Sequence, residues 1–313
     1  MQEPILQPES KRMKTESILG GPLFIILGFV LSRLLPPSVG YWIARRVARW
    51  ISRRRTEMFC NARANISRVV GPDVSAAELD RMAGEAVYYT IRSNYDMMHT
   101  TKADYRKGRA PVRIDPDEWQ RTWQALREGR GTILVGPHMS NFDLAMQWIA
   151  GQGVRFKALS LANPNLGTQT VNRVRMHQGI EIMPINVQSL RKAIEHLKRG
   201  GVVVTGVDRP TSPEDEMFEF FGEPAPMPDG PVRLALQTNS RIIVAGCIQE
   251  PDGVYRVHMA PPLEMERTGS RSKDIRHNEQ RLLAIVEGMI RLAPEQWLMF
   301  VPVWPREAQP CRA

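Results

Sequence analysis

The sequence predicts an α/β protein, with a mainly parallel central sheet, flanking helices and a helical, basic N-terminal membrane-associating region. Three observations carry that expectation. From residue 131 onward, short β-branched runs alternate with segments of helical period, a pattern that calls for parallel strands joined by crossover helices. Before residue 130 the period is almost wholly helical. The charge surplus is uneven: of 42 Lys and Arg against 33 Asp and Glu, nine arginines and a single acid, Glu57, fall between Arg33 and Arg68.

Residues 1–17 are polar and are expected to form a disordered tail. Residues 18–31 are an uncharged apolar run of fourteen, short of the ~20 that a membrane span needs. Interfacial burial is the expectation, with a tilted or partial span as the alternative. Pro36-Pro37 then opens a helix with Ile43, Val47, Trp50 and Ile51 on an apolar stripe, while Arg45, Arg46, Arg49, Arg53, Arg54 and Arg55 occupy much of the rest. Such a helix suits the surface of an anionic bilayer, so residues 18–58 are read as one membrane-associating unit. The competing reading is a packed helix with a solvated basic face.

Residues 59–305 are expected to form the body, helical over 59–130 and sheet-forming over 131–305, with a tail at 306–313. Gly71-Pro72 interrupts the helical pattern and Ser75-Ala-Ala-Glu78 restarts it as a capping box. Val87, Tyr88, Ile91, Tyr95 and Met98 keep the period, and a further helix over 117–128 ends at Gly129. Strands are predicted at 132–135, 156–161, 180–184, 202–206, 241–248 and 255–260, and helices at 166–177, 187–199, 231–237 and 278–293. Pro251-Asp252-Gly253 predicts one antiparallel hairpin at the sheet edge.

The chemistry concentrates in residues 131–150. The run over 132–135 closes on Gly136-Pro137, and Asn141 stands where it can cap the helix that follows. His138 therefore lies in the loop at the carboxyl end of a strand, where open α/β sheets bind their ligands. Asp143 follows in the first helical turn. A carboxylate beside a histidine fixes the imidazole tautomer, leaving the second ring nitrogen to take a proton from an alcohol. The pair makes a base rather than a nucleophile. His99 and Asp104 repeat the same spacing, but no strand or glycine turn precedes them, and they are read as a helix end.

These residues also carry a resemblance. Gly136-Pro-His138-Met-Ser-Asn141-Phe-Asp143 resembles the first motif of the lysophospholipid acyltransferase superfamily, in the form used by bacterial lipid A late acyltransferases and the phosphatidylinositol mannoside acyltransferases. Arg175-Met-His-Gln-Gly179 is similar to the arginine motif that follows. Val207-Asp208-Arg209, Phe220-Phe221-Gly222-Glu223-Pro224-Ala225 and Met227-Pro228-Asp229-Gly230-Pro231 resemble the third block, and Pro294-Glu-Gln-Trp297 the C-terminal one. Asp143 in place of Glu, and Met139-Ser140 in place of a glycine, depart from the lipid A pattern.

The resemblance implies a membrane-associated O-acyltransferase that moves a fatty acyl group from an acyl-CoA or acyl carrier protein thioester to a hydroxyl of a glycolipid or phospholipid, with no acyl-enzyme intermediate. It implies His138, Asp143 and Glu223 as catalytic residues, with Glu223 binding acceptor hydroxyls or assisting His138. Asn141, Arg175, Asp208 and Arg209 are its substrate-binding candidates: Arg175 can hold phosphate bidentately or stabilise developing charge, and Asp208 can equally cap a helix or pair with Arg209. The tryptophans, Trp148, Trp297 and Trp304, are read as core.

The net charge of +9 fits an anionic membrane surface at the cytoplasmic face of the cell membrane, approached peripherally or through a single N-terminal anchor. Nucleic acid is not expected as a partner, because no binding motif accompanies the charge. No metal and no cofactor are expected. Cys60, Cys247 and Cys311 have no disulfide or metal spacing, which predicts a reducing compartment. Three other readings compete: a glycerolipid acyltransferase of the lysophosphatidic acid type, a metal-dependent hydrolase using His138, Asp143 and Asp208, and a catalytically silent membrane-binding protein.

Overall fold

The computed structural model describes residues 34–304 together with Ser32 and Cys311, apart from residues 101–103, 105–106, 161–165, 178–179 and 212–214. The apolar run at 18–31 and the tail at 1–17 lie outside these residues. Three helices come first: α1 (Pro37–Arg53), α2 (Glu57–Val70) and α3 (Ala76–His99). Each start has a local cause. Pro37 supplies the fixed φ that suits a first helical position, Thr56 accepts from the Phe59 amide, and Ser75 accepts from the Glu78 amide. At Gly71 the φ of 81° ends α2, a value that glycine adopts without a Cβ penalty.

The remainder alternates as β1 (Val112–Ile114), α4 (Pro116–Arg127), β2 (Thr132–Gly136), α5 (Phe142–Gly151), β3 (Phe156–Ser160), α6 (Leu166–His177), β4 (Glu181–Pro184), α7 (Val187–Lys198) and β5 (Val202–Gly206). A two-stranded hairpin of β6 (Met217–Phe220) and β7 (Glu223–Pro226) follows, then α8 (Gly230–Thr238), β8 (Arg241–Gln249), β9 (Tyr255–Met259), α9 (Arg271–Leu292) and a 3₁₀ turn at Pro294–Gln296. Seven strands form one sheet in the order β1-β9-β8-β2-β5-β3-β4. All neighbours are parallel except β8 and β9. The expected hairpin therefore exists, but β1 pairs outside β9 and takes the edge from it. The short β1, the β6–β7 hairpin and the start of α9 at Arg271 were not foreseen. β1 has only three residues, and β6–β7 pairs outside the main sheet.

Alternation along the central strands divides the core. Ile133, Val135, Val203, Ile242 and Val244 pack with α7, α8 and α9 residues on one face, whereas Leu134, Ile243 and Cys247 pack with α4 and α5 on the other. The first three helices keep a separate cluster around Ile51, Phe59, Ile66 and Ala83. Polar contacts at Asp96 and Asn65 help fasten that layer to the sheet body. Tyr41 on α1 and Tyr255 on β9 both donate to the buried Asp96 carboxylate on α3. Asn65 on α2 donates to the carbonyls of Met299 at 2.9 Å and Val301 at 2.8 Å, and accepts from the Val303 amide at 3.2 Å.

Cys60 and Cys311 are joined as a disulfide across 251 residues of sequence, and Cys247 is a buried free thiol. This corrects the expectation of three unpaired cysteines: spacing in sequence carries no information about two residues that the fold brings to 5.6 Å between Cα atoms.

Replacing Asn65 by Ala leaves two carbonyls and one amide of the C-terminal segment without partners in a buried site. The variant is expected to lose about 2–4 kcal/mol of stability, measurable as a lower urea midpoint.

Candidate active site

Strands β2 and β5 are parallel neighbours, with Gly136 paired to Gly206 in register. His138 and Asp208 each lie two residues beyond that pair, so the register itself sets them side by side. His138 Nδ1 is 2.6 Å from Asp208 Oδ1, and the His138 amide donates to Asp208 Oδ2 at 2.8 Å. The Trp297 indole N–H donates to the same Oδ2 at 2.7 Å. Asp208 is fully buried, while the imidazole retains 32% exposure. Burial alone pushes a carboxyl group up, but the imidazole, the indole and the His138 amide outweigh it and hold Asp208 below the ordinary carboxylate range. An ionised Asp208 accepts a hydrogen bond from Nδ1–H, which fixes the neutral tautomer with Nε2 free to act as a base.

The loop is held as firmly as the side chain. The His138 carbonyl accepts from Leu298 at 2.7 Å, Ser140 donates to the Gln296 carbonyl at 2.8 Å, and Met139 bridges Trp297. Gln296 in turn is locked to the β8 backbone through two bonds with Gln249. Ser140 has a positive φ of 43°, a sparsely populated conformation that clusters at functional sites. Gly206 borders the ring, since a Cβ there would stand 3.1 Å from His138 Cε1.

Asp143 does not hold His138. It forms a bidentate pair with Arg175 on α6, at 2.5 Å and 3.0 Å, and both side chains are largely buried. Arg175 also donates to Asn172 Oδ1 at 2.9 Å. Burial opposes the guanidinium charge, but the Asp143 carboxylate more than offsets it and keeps Arg175 protonated. The expected His138–Asp143 contact is thus replaced by His138–Asp208, with Asp143 one step removed. A metal-ligand set of His138, Asp143 and Asp208 is likewise not assembled, because Asp143 is occupied by Arg175. Asn141 caps α5 through its Oδ1 and donates from Nδ2 to the Ser93 carbonyl at 2.9 Å.

His138, Ser140, Asn141, Phe142, Asp143 and Arg175 line an open cleft of about 280 Å³, together with Thr90, Ser93, Asn94, Met97, Val171, Leu298 and Phe300. Glu223 lies outside it, paired across the surface with Arg68 of α2. Arg209 follows Asp208 directly but is exposed and outside the cleft lining. The second HxxxxD pair diverges: His99 binds the Ser32 carbonyl and stacks on Tyr95, and Asp104 pairs with Arg109. Sequence reasoning missed Trp297 as a partner of Asp208, although the motif containing it was visible, and Gly206 gave no signal beyond ending a strand.

No helix among the described residues is long and apolar enough to cross a membrane. The bacterial lipid A biosynthesis acyltransferase family profile matches residues 8–306. The phosphatidylinositol mannoside acyltransferase of Mycolicibacterium smegmatis is 25% identical over 281 residues, covering 88% of this chain and 89% of that one. Its namesake from Mycobacterium tuberculosis is 27% identical over 184 residues, 58% of this chain and 56% of the other.

Asp208→Asn keeps the shape but removes the charge from three hydrogen bonds, at an expected cost of about 2–3 kcal/mol near neutral pH. A carboxylate depressed by folding stabilises above its unfolded value of about 4 and loses that contribution as pH falls through its lower folded value. The difference in urea midpoint between wild type and variant is therefore expected to narrow below about pH 4.

Proposed function

The chain belongs to the bacterial lipid A biosynthesis acyltransferase family, and from that premise we propose that it transfers a fatty acyl group from a thioester donor to a hydroxyl of a glycolipid, with His138 as the general base. One observation carries the reading: the His138 imidazole is anchored at Nδ1 by a buried carboxylate, and His138 lines a cleft. The acceptor hydroxyl gives its proton to Nε2 as its oxygen attacks the thioester carbonyl. A C–O bond forms, the tetrahedral oxyanion collapses, the C–S bond breaks, and the proton passes from Nε2 to the departing thiolate. Asp208 stabilises the imidazolium in between, and Trp297 holds Asp208 in place.

Positive potential for the oxyanion comes from the same cleft. The first residues of α5 line it, and a helix N-terminus favours developing negative charge. The Arg175 guanidinium, fixed by Asp143 and Asn172, leaves two N–H groups for donor phosphate or developing charge. Asp143 acts in this account as the positioning residue for Arg175. An acyl chain would lie against Met97, Phe142, Val171, Leu298 and Phe300.

The acceptor's lipid portion requires access from a bilayer, and α1 supplies a surface for it. Trp42 is 60% exposed and Trp50 50%, with Val39 and Ile43 also outward. Arg46 and Arg54 lie over the rings of Trp42 and Trp50. Aromatic side chains beside arginines on one exposed helix suit peripheral attachment to anionic lipid, at the cytoplasmic face where acyl-CoA or acyl carrier protein would serve as donor.

Substitution of His138 by Ala is expected to lower turnover by about 10²–10⁴-fold with donor binding retained; release of free thiol at the wild-type rate in the presence of acceptor would refute the assignment. Trp42→Ala with Trp50→Ala is expected to weaken sedimentation with phosphatidylglycerol-containing vesicles by roughly tenfold or more, and about 0.5 M salt should weaken wild-type binding too.

A further inference from the structure

Phe220, Phe221, Trp297 and Trp304 form one aromatic cluster, with the two indole rings 6.4 Å apart between centroids and both against the phenylalanines. Both tryptophans are buried, Trp297 at 0% exposure and Trp304 at 7%. Packing alone treats them alike. Their N–H groups differ: that of Trp304 has no partner among the described residues, whereas that of Trp297 donates to Asp208 Oδ2 at 2.7 Å. A hydrogen bond to an ionised acceptor is stronger than one between neutral groups. Trp297 therefore gives the site something that its ring does not supply.

We propose that Trp297 is a positioning residue for the acyl transfer, whose indole N–H limits and aims the charge that Asp208 brings to the His138 ring. The proposal rests on the general-base reading above. Asp208 Oδ2 accepts from two donors, the indole and the His138 amide, while Oδ1 faces Nδ1 at 2.6 Å. Donors on Oδ2 draw charge away from Oδ1 and oppose rotation of the carboxylate. The indole is kept in its place by the backbone: Met139 bridges Trp297, the Ser140 amide donates to the Gln296 carbonyl, and the Leu298 amide donates to the His138 carbonyl. Without the indole donor, Oδ1 carries more charge and favours the imidazolium, so the ring keeps a proton at pH values where a base has to be free of it. The neighbouring charges stay as they are. Asp143 and Arg175 neutralise each other from α5 and α6, Glu287 pairs with Arg291 on α9 beside Phe221, and Arg209 is exposed.

The test is the pH dependence of kcat/KM for thiol release from a palmitoyl thioester with octyl mannoside as acceptor, in the full chain as wild type, Trp297→Phe and Trp304→Phe. Trp297→Phe is expected to move the acid limb up by roughly half to one pH unit. It is also expected to lower kcat on the plateau by roughly tenfold, with KM unchanged for both substrates. Trp304→Phe shrinks a ring of the same cluster and removes only an unpartnered N–H, so its acid limb and kcat are expected to match the wild type while both variants melt at lower temperature. Benzothienylalanine at position 297 exchanges the N–H for sulfur and keeps the ring shape; it is expected to reproduce the shift and decides the matter where Trp297→Phe does not fold. An acid limb that stays in place or moves to lower pH, or an equal shift in Trp304→Phe, overturns the role of Trp297 alone. Wild-type turnover by His138→Ala, or no transfer by the wild type, overturns the general-base reading and this role with it.

Discussion

The arrangement depends on a single pairing of two parallel strands. Because Gly136 and Gly206 are opposite each other in register, the loops leaving β2 and β5 start level, and the second residue of each meets the other. His138 and Asp208 are separated by seventy positions in sequence, yet their approach is determined by backbone hydrogen bonds rather than by side-chain choice. A carboxylate buried at 0% exposure is costly unless every oxygen is paired. Asp208 meets that requirement with two bonds from one residue, His138, and a third from Trp297.

A second ion pair is nested against the first. Asp143 and Arg175 each neutralise the other in a largely buried site. The Arg175–Phe142 stacking and the Asn172–Ser160 bond connect this pair to α5 and β3. The helical layer completes the enclosure. Asn141 reaches from the loop to α3, and Asn61 and Asn65 reach from α2 to the segment that carries Leu298 and Phe300. Three asparagine amides therefore tie the elements around the cleft together, because each spans from a helix or loop to a backbone carbonyl on another element.

Local pattern made much of this legible. The strand ending at Gly136-Pro137, the Asn141 cap and the β8–β9 hairpin all rest on short-range rules: turn chemistry, capping and periodicity. The partner of His138 did not follow from them. The HxxxxD spacing places Asp143 close along the chain, and Asp208 was visible only as a strand-end acid with several equal uses. Choosing between them requires the strand order, in which β5 rather than β3 adjoins β2, and no residue pattern states that. Trp297 shows the same gap, since a fully buried tryptophan reads as core whether or not its N–H serves a carboxylate. Cys60 and Cys311 met for the same reason, by tertiary closure.

A carboxylate delivered by a neighbouring strand differs in consequence from one on the same loop. A partner five residues along the chain would share the loop's motions and permit the dyad to rotate as a unit. Asp208 instead belongs to a different strand end, tied to the loop backbone as well as to the ring, so displacement of the imidazole must break a charge-assisted bond that is also holding the main chain. Gly206 lets the strand approach the ring closely, because a Cβ there would stand 3.1 Å from His138 Cε1. The loop can then keep a strained residue such as Ser140 and expose His138 to the cleft without losing its orientation, which is the condition a proton-transfer base has to satisfy.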